Sequence, residues 1–430
     1  MVATVMLRFL TAGESHGPTL VSVLDGVPAG LKVDVVRINQ ELHLRQQGYG
    51  RGARQKIESD EVEIVGGVRH GTTSGAPLAM LLKNKDWENW KHIMSVESVN
   101  RCSDEVLQQL SKKTVSKFRP GHADLSGTLK FRLNDIRDVI ERSSARETAA
   151  RVAAGALCAQ LLEQFGIKLA SHVVQVGSVK ASKLSDQLTI DELDHFLSAS
   201  QLACADSVAE QSMISLIDSA SRSGDSLGGV VEVLADGLPV GLGTYTQWDA
   251  RLDGQLAQAL MSVQAIKAVE LGDGIENAGQ SGSAVHDPIY PSAGAARLPF
   301  KRRSNHAGGL EGGMTNGERL IVRAFMKPIP TLRQGLPSVT YPDFKADTAH
   351  FERSDVCAIA AASVVCKAMV SFVLARALLD KFGGDTVADM ILSYREYTKH
   401  CQQPTSTLGI LDATRPPDLK NAADLETEIE

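Results

Sequence analysis

Residues 119–158 hold a dense set of side chains that could do chemistry. The stretch has one histidine in a glycine turn, His122, and then enters an alanine-rich helix. Its arginines are Arg119, Arg132, Arg137, Arg142, Arg146 and Arg151. Guanidinium groups stay charged and bind phosphate or carboxylate through paired N–H donors. One interpretation is the solvated basic face of a surface helix. The small alanine and glycine side chains favour close burial, and therefore an anion-binding site.

The start of this helix strengthens the second interpretation. Ser144 and Glu147 have the spacing of a capping box, in which each side chain satisfies a backbone N–H, and Gly166 is placed to end the helix. A helix N-terminus carries partial positive charge and free N–H donors. With Arg142 and Arg146 beside it, this N-terminus is expected to face an anion.

The pentapeptide GESHG, residues 13–17, matches the G-x-S-x-G nucleophile elbow of serine hydrolases. An elbow needs a helix directly after the serine, whereas residues 19–25 (TLVSVLD) have the character of a strand. His16 is the better candidate than Ser15, because an imidazole titrates near neutral pH. His306, in SNHAGG, is a weaker candidate with local loop hydrogen bonding as the alternative. No H-E-x-x-H spacing occurs, so we expect no metal site.

Composition places the chain among soluble globular enzymes. It has 430 residues, 43% of them hydrophobic, and a net charge of −6, so any positive site must be local rather than a general nucleic-acid surface. Three of the six cysteines, Cys158, Cys357 and Cys366, lie in alanine-rich runs, which indicates buried reduced thiols and a cytoplasmic location. We expect no apolar run to reach membrane-spanning length, and the amino terminus is interpreted as a first strand rather than a signal peptide.

An internal repeat organises the chain. Three segments recur in the same order: residues 25–31 (DGVPAGL) and 236–242 (DGLPVGL), residues 66–78 and 308–320, and residues 142–150 and 353–361. The repeat predicts an α+β fold of two pseudo-symmetric halves, with alanine-rich helices sandwiched between antiparallel sheets. The two helix starts, at Ser144 and near Asp355, would then face one cleft.

The domain organisation follows from the same pattern. We expect residues 1–390 to form a single catalytic domain that contains the repeat. Residues 391–430 are expected to form a C-terminal extension whose polar, acidic tail is partly disordered. A loop rich in glycine, proline and serine, residues 272–307, is a candidate lid.

Taken together, these motifs resemble those of the chorismate synthase family. The motifs are GESHG, GRGAR, RPGHAD, RSSARETAARVAAGA, QAIKAVELGDG, SNHAGGLEGGMTNG, KPIPT and RSDVC, in the family's order from residue 13 to about 384. One departure is Ala360, where the family pattern usually has proline. The resemblance implies a carbon–oxygen lyase of the shikimate pathway, which supplies aromatic amino acids. It implies an anti-1,4-elimination of phosphate and a ring hydrogen from 5-enolpyruvylshikimate 3-phosphate to give chorismate, requiring reduced FMN without net redox change.

The resemblance also implies roles for individual residues. His122 would protonate the departing phosphate, His16 the reduced flavin, and Asp355 would relay the proton at flavin N5. The residues implied for the substrate anions are Arg45, Arg51, Arg119, Arg146 and Arg353. The residues implied for FMN are Arg142, Ser143, Ser144, Gln264, Ala265, Gly312, Lys327, Pro328, Ile329, Pro330, Thr331 and Arg353.

The resemblance further implies a homotetramer, a dimer of dimers, with no nucleic-acid or membrane partner. No G-x-G-x-x-G motif follows a strand, so a built-in NADPH-dependent flavin reductase has no support, and the source of reduced flavin stays open between an external reductase and NADP chemistry. Two other classes of function stay open from the residues alone: a serine hydrolase that uses Ser15, and a non-catalytic scaffold that binds phosphate or flavin without turnover.

Overall fold

The computed structural model describes residues 7–52, 59–99, 103–185, 188–292, 297–352 and 354–403. The α-helices in these ranges are α1 Val35–Gln46, α2 Asp104–Lys113, α3 Asp124–Phe131, α4 Arg137–Ser143, α5 Thr148–Glu163, α6 Ile190–Leu197, α7 Ser207–Ser223, α8 Leu252–Met261, α9 Gly274–Asn277, α10 Gly282–Val285, α11 Ile359–Phe382 and α12 Val387–Gln402. The strands are β1 Arg8–Ala12, β2 Thr19–Asp25, β3 Val62–Gly66, β4 Val68–Arg69, β5 Thr72–Thr73, β6 Leu78–Lys83, β7 Lys168–Val176, β8 Val179–Lys180, β9 Gly229–Asp236, β10 Ile266–Leu271, β11 Ile289–Pro291, β12 Phe300–Arg302, β13 Leu310–Glu311, β14 Met314–Thr315, β15 Leu320–Met326, β16 Pro337–Val339 and β17 Ala346–Thr348.

Three layers form the molecule. An antiparallel sheet in the order β1-β2-β6-β3 lies on one side and a second antiparallel sheet, β10-β15-β9-β7-β8, on the other. Helices α5 and α11 pack against each other between the two sheets, joined by α1 and α8. The helices approach closely because their facing residues are small: a Cβ built on Gly155 of α5 would lie 2.4 Å from the Cβ of Ala368 in α11. This confirms the predicted α+β sandwich.

The two halves repeat each other at the level of single hydrogen bonds. In the first half, Thr73 Oγ1 donates to the carbonyl of Pro28 (2.6 Å) and accepts from the Leu31 N–H (2.9 Å). In the second half, Thr315 Oγ1 makes the same two bonds, to the Pro239 carbonyl (2.6 Å) and from the Leu242 N–H (2.8 Å). These threonines occupy equivalent positions in the repeated segments. The pseudo-symmetry predicted from the repeat is therefore confirmed.

Helix α11 corrects one expectation. With 24 residues, it is long and apolar enough to cross a membrane, whereas the sequence was expected to contain no such segment. However, 83% of its most apolar window is buried inside the protein. The apolar run therefore arises because α11 lies between two sheets and has little surface that faces water.

The two helix starts also differ from the expectation. Ser144 Oγ accepts from the Arg146 N–H instead of completing a capping box, and residues 145–147 form a 3₁₀ turn before α5. The Glu147 carboxylate contacts Thr11, Arg151 and Gln264 instead. Long-range partners have displaced the local cap that the spacing predicted.

Helix α11 begins at Ile359 rather than near Asp355, where the repeat predicts its start. The preceding segment forms a parallel bridge between Leu227 and Cys357. Asp355 therefore lies on a loop before the helix, not in its first turn.

Beyond α11, helix α12 continues the ordered chain. Its Met390 is fully buried and the Tyr397 hydroxyl donates to the Val240 carbonyl. The predicted domain boundary at residue 390 falls inside this helix, and residues 404–430 of the predicted extension lie outside the described residues.

The cysteines behave as expected in the part of the chain that is described. Cys158, Cys357 and Cys366 are free and buried. Burial raises the pKa of the Cys158 and Cys366 thiols to about 12 and that of Cys357 to about 11. All three thiols therefore stay protonated and unreactive at neutral pH.

Candidate active site

A cavity of about 470 Å³ opens where the starts of α5 and α11 meet. This volume is within the range of small-molecule sites. The predicted residues that line it are His16, Arg45, Arg51, Arg119, His122, Ser143, Ser144, Arg146, Gln264, Ala265, Lys327, Ile329, Pro330, Thr331 and Asp355. The structure therefore brings all three candidate catalytic residues into one cavity, together with residues of both halves.

A few predicted residues lie elsewhere. Pro328 and Gly312 do not line the cavity; Gly312 lies in the hairpin between β13 and β14. Arg142 is exposed and donates to the carbonyls of Gly13 and Thr11, so it braces β1. Arg353 is outside the described residues. The loop predicted as a lid contains α9, α10, β11 and β12, and none of its described residues lines the cavity.

His16 is held on the turn between β1 and β2. Its ring Nδ1 lies 2.8 and 2.9 Å from the two carboxylate oxygens of Glu141 in α4, and its ring stacks on Trp90 with 3.7 Å between centroids. Strand β2 follows the turn directly, so the strand–turn–helix of a nucleophile elbow is absent and Ser15 is not presented as in serine hydrolases. Ser15 Oγ instead accepts a hydrogen bond from Ser144 Oγ (3.2 Å).

His122 is fixed by a buried carboxylate from its own turn. Its Nδ1 lies 2.6 Å from Oδ1 of Asp124, the first residue of α3, whose Oδ2 accepts from Arg119 Nε at 2.8 Å. Arg119 NH2, which can only donate, lies 3.1 Å from the same nitrogen, but the contact with the Asp124 carboxylate, which only accepts, is shorter. We therefore assign the proton to Nδ1, which leaves Nε2 to exchange protons with a ligand. Arg119 also donates to Thr331 Oγ1 (3.1 Å), which joins this turn to the KPIPT segment.

The Asp124 carboxyl makes stability depend on pH. Burial alone would raise the pKa of Asp124, but hydrogen bonds from His122 and Arg119 outweigh it and lower the pKa to about 2. A depressed pKa stabilises the fold above the unfolded pKa, and that contribution is lost as pH falls toward the folded pKa. We therefore expect the difference in unfolding free energy between the wild type and Asp124→Asn to shrink as pH is lowered from about 6 to 3. Urea denaturation across this range checks it, and a difference independent of pH would contradict it.

A second group of charged side chains in the site is the cluster of Arg45, Asp60 and Arg146. Asp60 Oδ2 accepts from Arg45 NH2 (2.6 Å), and both oxygens accept from Arg146 NH1 (2.5 and 2.6 Å). All three side chains are buried. Burial lowers the pKa of Arg45, and the two guanidinium groups, acting against burial, lower the pKa of Asp60. Two cations share one anion, so the cluster keeps one excess positive charge that faces the cavity.

Removing the shared Asp60 carboxylate should destabilise the folded protein. Asp60→Ala leaves two buried guanidinium groups uncompensated, and we expect the free energy of unfolding to fall by about 3–5 kcal/mol. The matched control is Asp191→Ala, because the ion pair of Asp191 with Lys168 is exposed and should contribute little. Urea denaturation of both variants measures the difference. Equal effects of the two substitutions would contradict a buried cluster.

Asp355 lines another side of the cavity. Its Oδ1 accepts from the Gly52 N–H (2.7 Å) and its Oδ2 lies 3.3 Å from Arg51 NH1. Ser354 Oγ donates to the Thr331 carbonyl (3.2 Å), which connects this loop to the KPIPT segment. The carboxylate is thus held against Arg51 and Gly52 by contacts that leave it accessible from the cavity.

The remaining wall is apolar. It is formed by Ala358, Ala361, Ala362 and Val365 at the start of α11, with Ile140, Val263, Met326 and Ile329. Ala358 precedes α11 without a side-chain cap. Gln264 Oε1 is buried in this wall and has no hydrogen-bond partner among the described residues. Such a surface suits a planar ring system with a few polar edge atoms.

Several residues of this site were missed by the sequence interpretation. Asp60, Glu141 and Trp90 contact predicted residues that are distant in the chain, and nothing in their local spacing indicates this. Asp124 did carry a signal, because it is the last residue of the RPGHAD motif and follows His122 by two positions.

The cavity defines a class of protein. Four buried or half-buried arginines surround a space that is also lined by two imidazoles and by the carboxylates of Glu141, Glu352 and Asp355. Guanidinium groups recognise phosphates and carboxylates, and imidazoles transfer protons at neutral pH. The fold and site therefore define an enzyme that carries out proton-transfer chemistry on a small polyanion.

Comparison with known proteins gives the family. A family model described as chorismate synthase matches residues 7–379. The chorismate synthase of Brevibacillus brevis is 48% identical over 396 residues, covering 91% of this chain and all of that protein, and that of Desulforamulus reducens is 50% identical over 93% of this chain and all of that protein. A crystal structure of chorismate synthase superposes with a TM-score of 0.73 at 38% identity, covering 93% of this chain and 99% of the other. The chain belongs to the chorismate synthase family, whose members are lyases of the shikimate pathway.

Proposed function

We propose that this cavity converts 5-enolpyruvylshikimate 3-phosphate to chorismate by an anti-1,4-elimination. The C–O bond to phosphate and one ring C–H bond break, a second ring double bond forms, and phosphate and a proton leave. There is no net oxidation or reduction. The observation that carries the proposal is the convergence of His16, His122, Asp355 and the arginine side chains on one cavity in a member of this family.

The substrate anions match the charges of the cavity. The substrate carries one phosphate and two carboxylates, and the cavity offers Arg119, Arg51 and the Arg45–Asp60–Arg146 cluster. Arg45 Nε and Arg51 Nε are buried without hydrogen-bond partners among the described residues. Buried donors without partners are costly, and an anionic ligand would satisfy them. Arg353 is assigned to the same anions on the resemblance alone.

His122 is assigned as the acid. With Nδ1 donating to Asp124, the imidazolium form of His122 carries its second proton on Nε2, where it is available to the departing phosphate. Protonation neutralises negative charge that develops on the leaving group, which is the role in which general acids are effective. Arg119, held by the same Asp124, remains charged beside that phosphate.

His16 and Asp355 are assigned to the remaining protons. His16 exchanges protons with the cavity through Nε2, since Nδ1 is engaged by Glu141. Asp355 is assigned to the relay of the proton at flavin N5, as the resemblance implies, and the Gly52 N–H and Arg51 would hold its carboxylate in place for this transfer.

The residues present fit reduced FMN. Ser143, Ser144, Lys327 and Thr331 would hold its phosphate and polar edges, and Gln264 Oε1 offers an unused acceptor beside the apolar wall. Ala265, Ile329 and Pro330 also line the cavity. When bound, the reduced flavin supplies electron density that assists the loss of a poorly acidic ring hydrogen. The apolar lining of this wall and the unpaired Gln264 acceptor support the proposal.

The direct test is an anaerobic assay. Purified protein, reduced FMN and 5-enolpyruvylshikimate 3-phosphate should release chorismate and inorganic phosphate in equal amounts, and only when the flavin is reduced. Flavin binding measured on the same sample is the control for correct folding. Folded, flavin-bound protein that forms no chorismate would overturn the proposal, and it is the outcome that a non-catalytic scaffold predicts.

We also propose, from family membership, that the protein acts in the cytoplasm as a homotetramer without nucleic-acid or membrane partners. The three buried reduced thiols support a reducing compartment. Residues 1–390 would constitute the catalytic domain and residues 391–430 its extension. Size-exclusion chromatography with light scattering tests the oligomeric state.

A further inference from the structure

The His16 side chain is held by several contacts in addition to those of the turn on which it lies. Glu141 presents both oxygens to the ring Nδ1, at 2.8 and 2.9 Å, and its Oε2 also accepts from the backbone N–H of His16 at 2.9 Å. Glu141 also bonds Arg137 NH1 at 3.3 Å and its side chain is entirely shielded from solvent. Since the carboxylate receives donors from the backbone and from Arg137, it acts as an acceptor toward the ring as well, and Nδ1 must carry the proton.

The ring plane is fixed by a second contact. The His16 and Trp90 rings are stacked, 3.7 Å apart and inclined by 19°. Trp90 is held in turn, because its indole N–H donates to Asp86 Oδ2 (2.9 Å) and Lys113 Nζ lies 4.2 Å from its ring centroid. Trp90 lies in residues 86–90 (DWENW), a segment for which the sequence alone predicts no function. The stack removes the rotation about χ2 that a single carboxylate contact would leave to an imidazole.

Arg137 joins this support to the other side of the cavity. Its Nε and NH2 donate to the Lys113 carbonyl (3.0 and 2.8 Å), and its NH1 bonds both Glu141 and Glu352 (2.7 Å). Glu352 lines the cavity close in sequence to Asp355. The two carboxylates therefore keep fixed positions relative to one guanidinium group.

We propose that Glu141 and Trp90 are positioning residues for His16, which hold the ring in the Nδ1–H tautomer and direct Nε2 into the cavity. The proposal rests on the proposed function of His16. It assigns to Glu141 the selection of the tautomer, and to Trp90 the orientation of the ring plane. Neither residue needs to touch the substrate.

The kinetic test is Glu141→Gln. The amide has the size of the carboxylate but can donate to Nδ1, which favours the opposite tautomer. We expect kcat to fall by about 10²–10⁴-fold, as when the carboxylate partner of a catalytic histidine is replaced by an amide, with KM and the Kd for FMN changed less than about threefold. Trp90→Phe should retain most of the activity because it preserves the stack, whereas Trp90→Leu should lower kcat.

A matched control exists outside the site. His172 and Glu232 form a similar buried histidine–glutamate pair, with Nε2 to Oε1 at 2.9 Å, and neither residue lines the cavity. Glu232→Gln should leave kcat within a factor of about two. An equal loss of kcat in the two variants would mean that Glu141 acts only through general stability, and it would overturn the proposal.

A double-mutant comparison shows whether Glu141 acts through His16. In a His16→Ala background, adding Glu141→Gln should change the residual rate by less than about threefold, because residues that act as a unit are not additive. A further large loss in that background would contradict the proposal. An inactive wild type, or an unimpaired His16→Ala, would instead count against the proposed function.

The tautomer itself can be measured without catalysis. In protein labelled with ¹⁵N-histidine, the His16 ring signals, identified by their loss in His16→Asn, should report a protonated Nδ1 in the wild type. In Glu141→Gln they should shift toward a protonated Nε2. A wild type with a protonated Nε2 and bare Nδ1 would overturn the proposal whatever the kinetics are.

Discussion

Replacing His122 by alanine is expected to lower turnover by about 10²–10⁴-fold while FMN and substrate binding change less than about threefold. In the proposed mechanism the imidazolium form of His122 gives its Nε2 proton to the leaving phosphate, while Nδ1 lies 2.6 Å from Asp124. Arg119 NH2 lies 3.1 Å from His122 Nδ1, but Asp124 also holds Arg119 through two bonds of its own, so we expect this guanidinium to keep its position without the imidazole. Single-turnover release of phosphate, with flavin and substrate binding measured in parallel, separates the two effects.

The control for His122 is His306→Ala. His306 forms a comparable pair, with Nδ1 3.0 Å from Asp273 Oδ2, but it lies outside the cavity and was the weaker candidate in the sequence. Its replacement should leave turnover nearly unchanged. A His122→Ala enzyme with a normal rate, or a His306→Ala enzyme as slow as His122→Ala, would contradict the assignment of the acid.

Replacing Asp355 should have an effect of similar size. Asp355→Asn keeps an acceptor for the Gly52 N–H but cannot take up a proton, so we expect turnover to fall by about 10²–10⁴-fold with FMN still bound. Asp355→Ala should lose most turnover too, and in addition should release the Gly52 loop and weaken substrate binding through Arg51.

The comparison between the two Asp355 variants shows whether Asp355 transfers a proton or only holds the Gly52 loop. If Asp355 only holds the loop, the asparagine variant should be nearly active and the alanine variant inactive; that result would contradict proton transfer. Asp253→Asn is the matched control, since Asp253 also pairs with an arginine, Arg251, but lies away from the cavity. Its turnover should equal that of the wild type.

The architecture could be predicted because the two halves of the chain repeat the same segments in the same order. Thr73 and Thr315 occupy matching positions in repeated segments and make matching hydrogen bonds, so the repeat alone gave two related halves. The alanine-rich segments gave the buried helices, because only small side chains allow the approach seen at Gly155 and Ala368. Patterns of this kind depend on residues that are close in the sequence, and the folded protein has the structure that they predict.

Other features depend on contacts that no local pattern contains. Ser144 and Glu147 have the spacing of a cap, yet Glu147 is drawn away by Thr11 and Gln264. Asp60 meets Arg146, and Glu141 meets His16, across long separations in the chain. The sequence could name the charged and proton-transferring groups, but not the buried partners that hold them.

The most direct test of the central claim is a crystal structure of the protein with oxidised FMN and 5-enolpyruvylshikimate 3-phosphate, a complex expected not to turn over. We predict a phosphate oxygen within about 2.6–3.2 Å of His122 Nε2, and substrate carboxylates on the guanidinium groups of Arg51 and the Arg45–Asp60–Arg146 cluster. A substrate bound outside this cavity, or one whose phosphate contacts none of these groups, would contradict the account.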